Sequence, residues 1–199
     1  MSSSELVRTT PASLAEVEDL CSLFGTRGAA ARCQCQRYRL APGEAFADLP
    51  IEDRRHRLVE QAGCGDSGAS TSGLVAWIGG VPVGWCAVGP RSDLDGLVRT
   101  FTVPWKDRTE DRTDPRVWAV TCVLTRVGHR RRGIASSLIH AAVPHARSAG
   151  ARSIEGYPIT TNDVINEELH VGTARMFADA GFRQVSAPTR RRVVMRIDL

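Results

Sequence analysis

The sequence predicts an α/β fold in which short strands and amphipathic helices follow one another along the chain. Three observations carry this. An apolar run at residues 117–124 passes through a basic, glycine-containing turn into an amphipathic stretch at 134–148. Two further apolar runs, 74–78 and 81–88, flank Gly79-Gly80, a two-residue hairpin signal. Near the start, Leu14, Val17, Leu20, Cys21 and Phe24 fall on one face at helical spacing.

In chain order, residues 6–9 read as a first strand. A helix then opens at Thr10-Pro11, with Ser13 and Glu16 at capping-box spacing, and ends at Gly25 and Gly28. Residues 29–42 read as irregular and carry Cys33, Cys35, Arg37, Tyr38 and Arg39. Residues 51–61 form a charged helix, and the glycine- and serine-rich 63–73 a flexible loop. After the hairpin, 89–115 reads as a long loop with a short strand near Val103, of a length that in compact domains is usually functional or mobile. The central strand and the 134–148 helix follow. Pro144 lies inside that helix and cannot donate to the carbonyl of His140, so a kink or split is expected, and Gly150 supplies the C-terminal stop. A strand at 152–159, a connecting segment at 160–170, a short helix at 173–180 stopped by Gly181 and a last strand at 191–197 complete the order.

The stretch with most chemical content is Val127-Gly128-His129-Arg130-Arg131-Arg132-Gly133-Ile134-Ala135-Ser136. A strand that ends in a turn and becomes a helix leaves unsatisfied N–H groups pointing outward, and the helix dipole adds partial positive charge. Three arginines add full charges suited to phosphate, and Gly133 allows close backbone approach. The spacing is not that of a P-loop, nor of the three-glycine dinucleotide fingerprint. An ordinary strand–helix turn with solvated arginines has the same residues.

Composition narrows the function classes. No apolar stretch approaches the ~18 residues of a membrane span, and Met1 to Glu5 has neither the basic nor the apolar region of a signal peptide, so a cytoplasmic protein is expected. The net charge of +4 is mild, and nucleic acid is not an expected partner. The arginines at 190–192 read as a solvated strand edge. Six cysteines in a reducing compartment read as small hydrophobes, and Cys33-x-Cys35 with His56 or Cys64 lacks zinc-ligand spacing, so no metal is expected.

Arg130-x-x-Gly133-x-Ala135 between a strand and a helix resembles the pyrophosphate-binding signature of the GNAT superfamily of acyl-CoA N-acyltransferases. Met176-Phe177-Ala178-Asp179-Ala180-Gly181-Phe182 resembles the Gly-Phe ending of that superfamily's last helix. A narrower likeness, to a branch with an N-terminal Cys-x-Cys, a Gly-Trp and a Glu-x-Tyr-Pro strand, rests on Cys33/Cys35, Gly84-Trp85 and Glu155-Gly156-Tyr157-Pro158. The resemblance implies a single domain over 1–199. Its fold would be a mixed sheet of about six to seven strands, splayed between two central parallel strands and flanked by about four helices. It also implies acetyl-CoA as cosubstrate, an amine of a small molecule or protein as acceptor, and direct attack in a ternary complex. A non-catalytic acyl-CoA sensor of the same fold is the alternative. A homodimer is the expected assembly, dimers being the commonest soluble oligomers.

By the same resemblance, Arg130, Arg131, Arg132, Gly133, Ile134, Ala135 and Ser136 would hold the pyrophosphate, and the backbone of Val123, Leu124 and Thr125 the pantetheine amides. The superfamily's frequent tyrosine acid falls at Phe177, and the glutamate base of some members at Ala119; neither can move a proton. Acyl transfer needs a neutral amine, a stabilised oxyanion and an acid for the departing thiolate. Glu155 and Tyr157, two apart on a strand and so on one face, are the expected catalytic pair, with His170 an alternative base. The competing reading pairs Glu155 with an arginine and makes Tyr157 a core residue.

Overall fold

A computed structural model describes residues 6–100, 103–161, 164 and 168–199. Expectations for Met1 to Glu5 and for parts of the 89–115 and 160–170 segments lie outside those residues.

Seven strands form one sheet: β1 (Arg8–Pro11), β2 (Gly73–Ile78), β3 (Val81–Pro90), β4 (Val117–Thr125), β5 (Ser153–Gly156), β6 (Arg183–Ser186) and β7 (Val194–Asp198). Their order is β1-β2-β3-β4-β5-β7-β6. Every pairing is antiparallel except β4 with β5. The helices are α1 (Val17–Phe24), α2 (Gly28–Cys33), α3 (Ile51–Ala62), α4 (Asp95–Thr100), α5 (Ile134–Ser148) and α6 (Ala174–Asp179), six among the described residues where about four were expected.

The long helix α5 lies on one face of the sheet, where Ile134, Leu138, Ile139, Ala142 and Ala146 meet Val83, Cys86, Val88, Val120 and Val123. It runs without a break across Pro144, so the expected split is absent. His140, whose carbonyl loses its donor, is exposed. The helix closes with paired bonds, Ala151 N–H to Ala146 O and Gly150 N–H to Arg147 O, both 3.0 Å, with Gly150 at φ 81°. α1 and α3 cover the opposite face through Leu20, Leu23, Phe24 and Leu58, which pack on Val75, Trp77 and Trp85.

Several elements depart from expectation. The first strand begins at Arg8, and α1 starts only at Val17, because a 3-10 turn at Ala12–Leu14 intervenes; no side chain caps Glu16. Leu14 is left exposed. The stretch read as irregular holds α2, seeded by its alanine run, and a 3-10 turn at Gln36–Tyr38. The segment 89–115 holds α4, and the strand expected near Val103 is a turn. β5 ends at Gly156, three residues short. β6 was missed: it is an exposed edge strand with no apolar alternation. His145 packs its ring edge-on 5.5 Å from Trp118, and burial lowers its pKa.

The end of β5 is fixed by packing. A Cβ on Gly156 would lie 2.0 Å from the Phe177 ring, which itself stacks edge-on 5.0 Å from Phe182. Gly156→Ala is therefore expected to cost about 3 kcal/mol, the upper range for overpacking. For a chain of this size that lowers Tm by roughly 10 °C. Gly89→Ala on β3, with open space around its Cβ, is the control. Equal melting curves for the two variants would refute the account.

Candidate active site

β4 and β5 stay together for only four residue pairs, from Val117↔Ser153 to Val120↔Gly156. Beyond them β4 continues to Thr125 against β3 alone, so its other edge opens as a cleft. The register between β3 and β4 shifts at the same place. Ala87 pairs with Cys122 and Val88 with Val120, which leaves Thr121 as an extra, bulged residue.

The cleft leads to the N-terminus of α5. Gly84 seats that end of the helix: a Cβ there would meet Ile134 at 2.6 Å and Leu138 at 3.0 Å. The turn before the helix is held by Arg126 N–H to Val83 O, 2.9 Å, and His129 N–H to Arg126 O, 3.0 Å. Gly133 is the N-cap at φ 77°, and its carbonyl accepts the first helical bond from Ser137 at 2.9 Å. The amides of Ile134, Ala135 and Ser136 have no acceptor earlier in the helix, and no acidic side chain stands in the first turn. Arg130, Arg131 and Arg132 are exposed around this end; Arg132 lies 3.3 Å from the half-buried His129. The expected pyrophosphate residues are thus gathered at one end of the cleft, and Val123, Leu124 and Thr125 lie along its open strand.

Glu155 and Tyr157 sit deeper, on the face away from α5. Glu155 is wholly buried and Tyr157 nearly so. The Tyr157 hydroxyl donates to Glu155 Oε2 at 3.1 Å. Three guanidinium groups converge on the same carboxylate: Arg91 at 3.2 Å, Arg196 at 3.2 Å and Arg108. Glu110 bridges the same three arginines at 2.5, 2.7 and 3.2 Å. Arg91, Arg108 and Glu110 come from the segment after β3, so that segment is a plug docked on β5 and β7. Burial, and then the Glu155 charge, push the Tyr157 phenol well above its usual range.

Where the two strands part, three other side chains meet. Tyr38, from the 3-10 turn after α2, is buried against Ala119, Tyr157, Val194, Leu94 and Leu97. The His170 ring lies 6.4 Å from it. The Arg192 charge opposes the rise that burial gives the Tyr38 pKa, and Arg192 Nε donates to the Tyr157 carbonyl at 2.9 Å. Arg192 is therefore half-buried at the cleft, and Arg191 pairs with Glu168 at 2.9 Å. The reading of 190–192 as solvated holds for the exposed Arg190 and Arg191 and is corrected for Arg192. From the 89–115 segment, Leu94 and Leu97 are buried in the same cluster as Tyr38. Tyr38 and Arg192 escaped the sequence reading because nothing local links residues so far apart.

Cys35 lies beside this group. The Trp85 indole donates to its sulfur at 3.1 Å, and the neighbouring Cys35 thiol, together with burial, raises the Cys122 pKa. Among the described residues no three His, Cys, Asp or Glu side chains are placed to hold a metal, and no helix is long and apolar enough to cross a membrane.

Comparison with known proteins agrees with this geometry. An N-acetyltransferase of Staphylococcus aureus superposes with a TM-score of 0.54 at 13% identity, over 97% of this chain and 98% of its own. The ribosomal-protein-alanine N-acetyltransferase of Brucella melitensis gives 0.56 at 16%, over 98% and 99%. An N-acetyltransferase of Thermoplasma acidophilum in complex with coenzyme A gives 0.53 at 12%, over 98% and 99%. At these identities the likeness is one of fold. No curated protein matches by sequence. The sequence model of the acetyltransferase (GNAT) family matches residues 35–169, about two thirds of the sequence, and the chain belongs to that family.

Proposed function

We propose that the protein transfers an acyl group, acetyl being the expected one, from acyl-CoA to an amine by direct attack in a ternary complex. The observation that carries this is the cleft opened where β5 leaves β4, running to the arginine-rimmed N-terminus of α5. In the proposal the amides of Ile134 to Ser136 and the arginines at 130–132 hold the pyrophosphate. The open edge of β4 at Val123, Leu124 and Thr125 receives the pantetheine arm as an added strand. A β4 amide beside the Thr121 bulge is the natural donor to the oxyanion. The coenzyme-bound Thermoplasma structure shares this fold and supports the reading.

Glu155 and Tyr157 take an indirect part. A carboxylate enclosed by three guanidinium groups, with a phenol donating to it, holds β5, β7 and the plug segment together. That surrounding suits a positioning role better than proton exchange with a substrate.

Calorimetric titration with acetyl-CoA, followed by mass spectrometry of a panel of small amines and peptide N-termini, tests the proposal. Micromolar binding and an added acetyl group on at least one amine class are expected. Failure to bind acetyl-CoA would sink it. Phe177 is wholly buried and has no proton to give, which favours a second reading, a non-catalytic acyl-CoA sensor. Tight binding with no transfer across the panel selects that reading.

A further inference from the structure

We propose that the acceptor is a small amine carrying an anionic group, a carboxylate or a phosphate, and that Arg190 and Arg192 hold that group beside the cleft. The inference rests on the acyltransferase reading above and names the substrate class of the same site.

A cavity of about 360 Å³ is lined by Ile159, Glu168, Thr189, Arg190, Arg191 and Arg192. It adjoins the place where β5 leaves β4. Ile159 continues the chain just beyond the end of β5 and pairs with Thr173 on one side and Arg192 on the other. Arg192 Nε reaches the carbonyl of Tyr157, whose ring packs with Ala119 of β4. The volume is at the low end of the ~300–1,000 Å³ range of small-molecule sites, which suits a small acceptor.

The lining is strongly one-sided in charge. It holds three arginines and a single acid, and that acid, Glu168, is engaged by Arg191 at 2.9 Å. Among the described residues no carboxylate pairs with Arg190 or Arg192, although Arg192 is half-buried. A guanidinium partly withdrawn from water with no acid beside it is costly, and an anionic ligand relieves that cost. The planar fork of an arginine matches a carboxylate or a phosphate with two parallel bonds.

The loop is fixed before any ligand arrives. Thr189 Oγ1 accepts from the amides of Arg191 at 3.3 Å and Arg192 at 3.0 Å. Thr160 secures the other side: its N–H donates to Arg191 O at 3.0 Å and its hydroxyl to Arg190 O at 3.1 Å. Val193 N–H donates to Pro158 O at 3.2 Å. Capture of an anion therefore orders side chains and not backbone, which keeps the entropic cost of binding small.

Competition between matched amines tests the assignment. 4-Aminobutanoate is set against butylamine, and 2-aminoethyl phosphate against ethanolamine, each as an equimolar mixture with acetyl-CoA, and mass spectrometry reads the acetylated products. At least one anionic member should be favoured about tenfold or more, the worth of one charge-assisted hydrogen bond. Added salt should shrink the preference, because it screens exposed charge. Arg190→Glu and Arg192→Gln should each abolish it, mainly through KM, as expected when ground-state binding is lost. If Arg192→Gln lowers Tm, Arg190→Glu decides alone, since Arg190 is exposed. Equal acetylation of anionic and neutral members, or a preference that survives Arg190→Glu, overturns the inference while the acyltransferase reading stands. A tenfold loss of acetyl-CoA affinity in folded Arg190→Glu gives the cavity to a phosphate of the coenzyme and overturns it too. Transfer to peptide N-termini alone, or to no amine, likewise rejects it. Absence of acetyl-CoA binding overturns both readings.

Discussion

Gly133→Asp is expected to weaken acetyl-CoA binding by at least about 100-fold, or about 3 kcal/mol, while the protein stays folded. Gly133 is exposed at φ 77° and nothing lies within 4 Å of a Cβ built there, so the new side chain meets no core. Aspartate tolerates the left-handed region better than most residues, and an acid at a helix N-terminus is favourable in the free protein. The damage falls on the ligand. A carboxylate ~4 Å from a phosphate charge costs about 4 kcal/mol at an effective dielectric of 20, and a pyrophosphate carries more than one charge. Calorimetry and thermal melting on one sample decide the matter. Wild-type affinity in a folded variant places the pyrophosphate elsewhere.

Glu155→Gln should act in the opposite way, on stability first. The amide keeps the shape but removes one of two negative charges from among three arginines, and Arg91 is wholly buried. Breaking a buried pair by neutralising one partner costs about 3 kcal/mol, at the low end of the usual range. The expected Tm loss is roughly 10 °C for a chain of this length. Affinity for acetyl-CoA should stay near that of wild type, and kcat within a fewfold once the folded fraction is counted. A kcat loss of tenfold or more at unchanged Tm would restore Glu155 as the base.

The sequence yielded α5 to the residue and the Gly79-Gly80 hairpin because each has a strong local cause. Apolar residues at helical spacing and a C-terminal glycine mark the one; two adjacent glycines between apolar runs mark the other. The anion turn was readable for the same reason, since all its parts are contiguous. β6 was not, because its side chains face water and its only warrant is pairing with β7. The pair Glu155 and Tyr157 was found together, as two residues on one strand face must be. The arginines around them were not, because Arg91, Arg108 and Arg196 reach Glu155 from across the chain. Tyr38 and Arg192 escaped on the same ground: their meeting is made by topology.

The extra residue at Thr121 divides β4 into two reading frames. Before it, the even positions Trp118 and Val120 face α5 and the odd Ala119 faces Tyr38. After it, the odd Val123 faces α5, and the even Cys122 and Leu124 face the α1 and α3 side. Ala119, Cys122 and Leu124 therefore address the same side of the sheet although their numbers differ in parity. Swaps at 119 and 121 are not comparable, whereas swaps at 119 and 122 are. One inserted residue lets a single strand offer α5 an unbroken apolar stripe while its opposite face changes partner, from the phenol at one end to the thiols at the other.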